Sequence, residues 1–142
     1  MTQAKQKVQC YITRERTGKQ QVLVFEHIDF PEAGVQVPAG TIDPGEDPER
    51  AALREAWEES GVEGLHVRRY LGAFRWWQAD RHEEHERHVF HLITSLPLPD
   101  AWEHTVSAGE DDTGLRFRYR WLDTDVATSV LSGDQGIYLQ YL

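Results

Sequence analysis

The sequence is poor in cysteine, in long apolar runs and in positive charge. Its one cysteine, Cys10, cannot form an internal disulfide bond. The longest uninterrupted apolar run covers residues 22–25, so we expect neither a signal-peptide core nor a membrane span. The 24 aspartates and glutamates outnumber the 15 lysines and arginines, and the resulting net charge of −9 argues against general binding of nucleic acid or anionic membranes. We therefore expect a cytoplasmic protein that binds a small molecule.

The size and composition indicate one domain over residues 1–142. Of the 142 residues, 39% are hydrophobic, including five each of Trp, Tyr and Phe, and this suffices for one core. Periodicity and turn signals predict strands interleaved with one central helix and one terminal helical region. Strands are predicted at residues 7–13, 20–26, 35–38, 66–78, 87–94 and 115–121, turns or loops at 16–19, 80–86 and 101–114, and helices at 48–60 and 124–142, the last broken near Gly133.

The helix at residues 48–60 carries signals for both of its ends. Asp47 can cap the first turn, and Pro48 stands at the first helical position, where its missing N–H costs nothing. Gly61 supplies the left-handed stop. The bounds of this helix can therefore be predicted from sequence alone.

Three glutamates of this helix lie in one narrow stripe. At about 100° per residue Glu55, Glu58 and Glu59 share one face. Leu53 and Trp57 lie on the opposite face, which we expect to contact the core. Carboxylates at these spacings, with Cβ atoms about 5–6 Å apart, repel one another unless a cation neutralises them. Mg²⁺ prefers such oxygen ligands, and Mn²⁺ is an alternative. Since a glycine-rich loop comes directly before the helix, the segment predicts a divalent-metal site for a phosphate substrate.

The segment from residue 40 to residue 62 resembles the Nudix box. The residues that match its fixed positions are Gly40, Glu46, Arg54, Glu55, Glu58, Glu59 and Gly61. An acidic, solvated helix would account for the glutamates but not for the two glycines and the arginine at their offsets. The resemblance implies a single α/β domain, a Nudix-type α/β/α sandwich with a mixed sheet. It also implies metal-assisted hydrolysis of a diphosphate linked to another group.

The same resemblance implies roles for single residues. Glu55, Glu58 and Glu59 correspond to the metal ligands, Glu55 is also a candidate base, and the Gly40 carbonyl completes the ligand set. Arg54, four residues before Glu58, can pair with that glutamate and hold its orientation.

Related enzymes often add a base or ligand from a distant loop. Glu110, in the acidic loop before the last predicted strand, is our candidate for this base. Glu83, Glu84 and Glu86 compete with it. Glu46 lies outside the ligand stripe, and we expect it to anchor the loop to the helix.

The residues just past the box do not identify the substrate. Some Nudix subfamilies carry a marker residue here, a proline in those that act on ADP-ribose and a tyrosine in those that act on diadenosine polyphosphates. Residues 75–80 contain neither. We expect a nucleoside triphosphate or a nucleotide sugar. Trp76 or Trp77 could stack on the base, although core packing is the favoured role for each of them taken singly. Arg118, one of three arginines that alternate along a strand, could reach a phosphate or simply meet water.

Two further functions use the same residues. One is a Nudix-fold nucleotide sensor that has lost turnover, although such proteins usually lose box carboxylates and this chain keeps them. The other is an RNA 5′-end pyrophosphohydrolase, which the acidic charge disfavours. A homodimer is compatible both with the favoured nucleotide hydrolase and with the RNA pyrophosphohydrolase.

Four histidines recur at every third residue, which suggests a zinc site. The spacing fits neither the period of a strand nor that of a helix, so the four cannot share one face of a regular element. Local turn and strand positions are the favoured interpretation. These residues are His82, His85, His88 and His91.

Overall fold

The computed structural model describes residues 3–107 and 113–142. Within these residues the chain forms a mixed sheet and two α helices. The strands are β1 (Lys5–Arg16), β2 (Lys19–His27), β3 (Ala39–Thr41), β4 (His66–Gln78), β5 (Glu83–Ile93), β6 (Ala101–Thr105) and β7 (Arg116–Asp123). The helices are α1 (Pro48–Ser60) and α2 (Thr124–Val130), with short 3-10 helices at Pro31–Ala33, Ala79–Arg81 and Ile137–Tyr141.

Strand β1 is the centre of the sheet and pairs differently along its two halves. The strand order is β4-β5-β1-β2-β7-β6, and β1 runs parallel to β5, whereas the other named strand pairs are antiparallel. On its other edge β1 pairs with β2 from Thr13 onward and with β3 at residues 7–9. The strands β1 and β2 therefore diverge, and the short β3 fills the opening between them.

Each face of the sheet is covered by helix, which confirms the predicted α/β/α sandwich. Helix α1 packs on one face through Ala51, Ala52 and Ala56, against side chains such as Ile12 and Phe90. Helix α2 and the last 3-10 helix cover the other face. The buried residues there are Tyr11, Val22, Val24, Val37, Val89, Ala127 and Leu139. Burial of aliphatic and aromatic side chains of this size contributes about 1.5–3 kcal/mol each.

Helix α1 has the predicted bounds, whereas the core face predicted for it is right only at Leu53, which is partly buried and packs against the core. The side chain of Asp47 accepts a hydrogen bond from the backbone N–H of Arg50, and Gly61 ends the helix in the left-handed conformation, with φ 75°. Trp57, however, is 46% exposed and donates its indole N–H to Glu63. The buried face consists of three alanines, which let the helix approach the sheet closely, together with Glu55 and Glu59.

Three other differences concern a strand, the start of a strand and the terminal helical region. The loop predicted at residues 101–114 contains strand β6, whose partner is β7. Strand β5 begins at Glu83, earlier than predicted, because a tight turn with His82 at φ 53° precedes it. The terminal helical region is a short α2 and a separate 3-10 helix. None of the helices in the described part of the chain is long and apolar enough to cross a membrane.

Candidate active site

The site is organised by a close approach between β3 and α1. A Cβ atom on Gly40 would lie 2.1 Å from the carboxyl carbon of Glu55, a distance that no side chain can occupy. Any other residue at position 40 would displace the end of the Glu55 side chain, so glycine leaves this carboxylate its place beside β3. The next residue, Thr41, pairs in register with Lys7 of β1 and accepts a hydrogen bond from its Nζ at 2.7 Å.

Arg54 links the loop before α1 to the glutamates of the helix. Its Nε and Nη2 each donate to the carboxylate of Glu46 at 2.8 Å, and Nη2 also donates to the carbonyl of Thr41 at 3.0 Å. Its Nη1 donates to Glu55 at 2.9 Å and to Glu58 at 3.3 Å. The hydrogen bond from Arg54 lowers the pKa of Glu46. The expected pairing of Arg54 with Glu58 and the anchoring role of Glu46 are both seen in these contacts.

The C-terminal end of α1 is fixed by side chains from β6 and β7. His104 Nε2 donates a hydrogen bond to the backbone carbonyl of Glu58 at 2.9 Å. The hydroxyl of Tyr119 donates one to the backbone carbonyl of Glu59 at 2.8 Å. The indole of Trp102 donates to the carbonyl of Ser60 at 3.0 Å. Terminal carbonyls have no partner within a helix, so these contacts satisfy them and fix the backbone that carries the glutamates.

The three glutamates lie around β3 and do not all face one cavity. Glu55 and Glu58 line a cleft of about 860 Å³. Glu59 is 95% buried, accepts a hydrogen bond from the N–H of Ala39 at 3.2 Å, and lines a smaller cavity of about 140 Å³. Aromatic residues line that smaller cavity, and Gln36 and Ala39 border both spaces.

The large cleft has a carboxylate side and a basic side. The carboxylate side is formed by Glu55, Glu58 and Arg54 beside Gly40. The basic side comes from β1, β5 and the turn before β5. Its members are Lys5, Lys7, Arg81, His85 and Arg87. In the parallel register Lys5 lies opposite His85 and Lys7 lies opposite Arg87, so these four side chains share one face of the sheet.

The basic side concentrates positive charge that the protein neutralises only in part, through Glu83, which lies 3.8 Å from Lys5 and 2.9 Å from His85. Burial, and then the charges of Lys5, Arg87 and Arg81, lower the pKa of Lys7. Burial likewise lowers the pKa of His85, against the opposing effect of its hydrogen bond to Glu83. Neither Arg81 nor Arg87 has a hydrogen bond or ion pair with any residue in the described ranges. The arrangement is suited to an anionic ligand.

Sequence reasoning missed the basic side of the cleft. Lys5 and Lys7 alternate on one strand, and His85 and Arg87 alternate on another, which is the only local signal. The pairs combine into one charged surface only because β1 and β5 are parallel neighbours, and no local pattern predicts that pairing.

The carboxylate side fits a hard divalent cation by the chemistry of its donors. Carboxylate and carbonyl oxygens are the ligands that Mg²⁺ and Mn²⁺ prefer. No three His, Cys, Asp or Glu side chains form a ready metal-binding group among residues 3–107 and 113–142. Here the guanidinium of Arg54 supplies the positive charge shared by Glu55 and Glu58.

The sequence model of the NUDIX domain matches residues 5–140. The chain belongs to the Nudix family. Diphosphoinositol polyphosphate phosphohydrolase 3-alpha of Mus musculus is 31% identical over 122 residues, which cover 86% of this chain and 66% of that protein. The 3-beta protein of Homo sapiens is 30% identical with the same coverage. The chain thus spans about two thirds of the length of these relatives.

Solved Nudix structures share the fold. An Ap4A hydrolase of C. elegans superposes with a TM-score of 0.71 at 20% identity, covering 97% of this chain and 95% of that one. A MutT NUDIX hydrolase from Burkholderia pseudomallei superposes with a TM-score of 0.68 at 23% identity, covering 98% of each chain. At these identities the likeness concerns the fold.

The other residues predicted for this Nudix site lie away from the carboxylates or outside the described part. Trp77 is 53% exposed, with its ring 5.0 Å from that of His82. Trp76 is half-buried and is not among the residues lining the cleft. Arg118 pairs with Glu103 at 3.3 Å on the surface of β7. Glu110 lies outside the described residues, and its role stays a prediction.

The remaining candidates in and before β5 have local partners. Glu83 accepts a hydrogen bond from His85, and Glu84 and Glu86 pair with Arg75 at 3.2 and 3.3 Å. His91, whose pKa burial lowers to about 4, lies 2.7 Å from the hydroxyl of Thr13. The four regularly spaced histidines occupy turn and strand positions and, like the rest of the described chain, form no metal-binding group.

Proposed function

We propose that this Nudix protein hydrolyses a diphosphate bond, with Mg²⁺ or Mn²⁺, in a small molecule that carries further phosphate groups. The observation that supports this proposal is the pairing of a carboxylate side and a basic side within one cleft of about 860 Å³. Five of the fifteen lysines and arginines line this cleft, although the chain as a whole has a net charge of −9.

The two sides suit different parts of one substrate. The scissile diphosphate requires a cation beside Glu55 and Glu58, because phosphate and carboxylate repel each other. Additional phosphates match the basic side, where guanidinium and ammonium groups form charge-assisted hydrogen bonds. A nucleotide sugar uses its only two phosphates at the scissile bond and leaves the basic side unmatched. We therefore rank a nucleoside triphosphate above a nucleotide sugar.

The names of the relatives add a further class of substrate to this ranking. The mouse and human proteins that are 30–31% identical are named for diphosphoinositol polyphosphates, which carry more phosphate groups than a nucleoside triphosphate. Such a compound supplies several phosphates to the basic side after its diphosphate is placed at the carboxylate side. We propose it as the first substrate to test.

The chain's own residues divide the work of hydrolysis. Glu55, Glu58, Glu59 and the carbonyl of Gly40 would hold the cation, which when bound neutralises phosphate charge and lowers the pKa of a water. Before the cation binds, Glu55 and Glu58 must give up their hydrogen bonds to Arg54, which stays attached to the loop through Glu46. Glu59 must likewise turn from the smaller cavity and from its hydrogen bond with the Ala39 N–H. The base that takes the proton of the attacking water is Glu55 or Glu110, and both assignments stay predictions.

Phosphate release from a substrate panel with Mg²⁺ tests the proposal. The panel contains a diphosphoinositol polyphosphate, a nucleoside triphosphate, a nucleotide sugar and an RNA with a 5′-triphosphate, each also assayed with Mn²⁺ and with chelator. We expect kcat/KM to fall in the order in which the small molecules are named. Preference for the nucleotide sugar would contradict the role of the basic side. Tight binding without release on any of them would indicate a sensor.

A further inference from the structure

Arg87 reaches the cleft without a polar partner to hold it. It lines the basic side, and it forms no hydrogen bond or ion pair with another residue of ranges 3–107 and 113–142. Its Nε atom is buried and has no hydrogen-bond partner. Long side chains without such contacts sample several rotamers, and ordering one of them on ligand binding is unfavourable. Some other contact must hold this guanidinium.

That contact is the ring of Trp76 on the neighbouring strand. The guanidinium carbon of Arg87 lies over the indole at 4.6 Å from the ring centroid, within the distance of a cation–π interaction. Trp76 also lies opposite His85 in the antiparallel register, with ring centroids 5.8 Å apart. One indole therefore contacts two members of the basic side.

The C-terminal segment passes beside the indole. A Cβ atom added to Gly133, in the turn after α2, would lie 3.6 Å from Cζ2 of Trp76, so the backbone of this turn is close to the ring. Trp76 is half-buried at this position, whereas its neighbour Trp77 is 53% exposed and contacts only the turn histidine His82 among rings. The two adjacent tryptophans thus differ in their access to Arg87.

We propose that Trp76 is a positioning residue that orders Arg87 for a phosphate of the substrate, by stacking on its guanidinium. This inference rests on the proposed function, because it assigns the basic side to a polyanion. The ring of Trp76 serves an arginine here, whereas a base-stacking role would need that ring free. A cation–π contact of about 0.5–2 kcal/mol corresponds to a change of about two- to thirtyfold in affinity.

Binding of inositol hexakisphosphate, measured by calorimetry, tests this role without requiring turnover. Trp76→Leu removes the aromatic ring but changes no charge, so the charge available to the polyanion is constant. We expect its Kd to rise about two- to thirtyfold. Trp76→Phe keeps a ring and should restore part of the affinity. Trp77→Leu, the matched control on the same strand, should bind as the wild type does.

A double-mutant cycle separates positioning from a general structural effect. If Trp76 acts through Arg87, Trp76→Leu should weaken the binding of inositol hexakisphosphate when Arg87 is present. It should have no further effect when Arg87 has already been changed to Gln. Full loss in both backgrounds, or wild-type binding by Trp76→Leu, would overturn the inference. Wild-type binding by Arg87→Gln would overturn the inference together with the proposed basic side. Absence of hydrolysis in the wild type would overturn only the proposed function.

Discussion

The two sides of the cleft differ in how far the protein satisfies them. On the carboxylate side, Glu46, Glu55 and Glu58 all accept hydrogen bonds from Arg54, so their charges are partnered within the fold. On the basic side, Arg81 and Arg87 have no such partners among the described residues. The first side is held in position before any substrate binds. The second leaves these two guanidinium charges available, and this difference indicates that it contributes binding energy.

The two sides of the cleft also differ in how they affect the stability of the fold. Like charges brought together destabilise a fold unless an opposite charge lies nearby, and Arg54 supplies that charge to the glutamates. On the basic side Glu83 is the nearby carboxylate, and its charge does not offset burial and the neighbouring cations, which together lower the pKa of Lys7. Sites kept for function commonly retain unfavourable interactions of this kind.

Glu58→Gln and Glu59→Gln are expected to produce the largest effect. Each removes one carboxylate charge, and hydrolysis should fall to assay background because the cation is no longer held. The amide oxygen can still accept the hydrogen bond from Arg54 or from the Ala39 N–H, so the melting temperature without metal should stay level or rise. Activity with Mg²⁺ and thermal melting check the two expectations.

The matched control is Glu49→Gln, which removes an exposed carboxylate from the first turn of the same helix. It should leave activity close to wild type. Near wild-type turnover in both Glu58→Gln and Glu59→Gln would contradict the metal assignment.

The carboxylate side could be predicted because its signals are local. The Asp47 cap, Pro48 and Gly61 fix the bounds of α1, and the spacing of the glutamates fixes their common stripe. The packing face could not be predicted in the same way. Leu53 and Trp57 are the large apolar residues of the helix, but the fully buried part of its packing face consists of small residues such as Ala56, which an argument from apolarity does not single out.

The basic side and β6 could not be predicted because they depend on partners distant in sequence. Lys7 and Arg87 come together only through the parallel register of β1 and β5. Strand β6 owes its existence to β7, and its alternation is weak because its side chains are only half-buried or exposed. Both failures concern sheet pairing, which sequence patterns specify poorly.

The effect of Mg²⁺ on stability should be the second largest. A ligand that binds only the native state stabilises it by RT ln(1 + [L]/Kd), or about 2.7 kcal/mol at a hundred times Kd. A triple change of Glu55, Glu58 and Glu59 to Gln should remove this effect, as measured by melting temperature with and without Mg²⁺. A shift of equal size in the triple variant would place the cation elsewhere, with the histidines of β5 as the first candidates.

Glu110→Gln should lower kcat by at least about tenfold, or about 1.4 kcal/mol in activation free energy, because general-base assistance is typically worth 10²–10⁴. Metal affinity should change little. Steady-state kinetics and Mg²⁺ titration give the two measurements. Normal turnover by Glu110→Gln, combined with a Glu55→Gln variant that binds metal but is inactive, would assign the base to the helix.

The smallest expected effect is on stability at the basic side. The pKa of Lys7 is lower in the folded chain than its ordinary value of 10.5, so the unfolded chain binds this proton more tightly. The charged side chain therefore destabilises the fold below the folded pKa, and this destabilisation disappears as pH rises from the folded pKa to 10.5. Lys7→Met keeps the aliphatic stem, but it loses the hydrogen bond to Thr41.

At neutral pH, Lys7→Met should leave the free energy of unfolding unchanged or raise it by at most about 1 kcal/mol after solvent screening, while KM for a polyphosphorylated substrate rises. Denaturant unfolding near neutral pH and near pH 10.5 should show any gain shrinking at the higher pH. Lys19→Met changes net charge equally at the exposed end of β2 and should leave KM unchanged. A Lys7→Met variant that is strongly destabilised, with an unaltered KM, would make Lys7 a structural residue and remove it from the basic side.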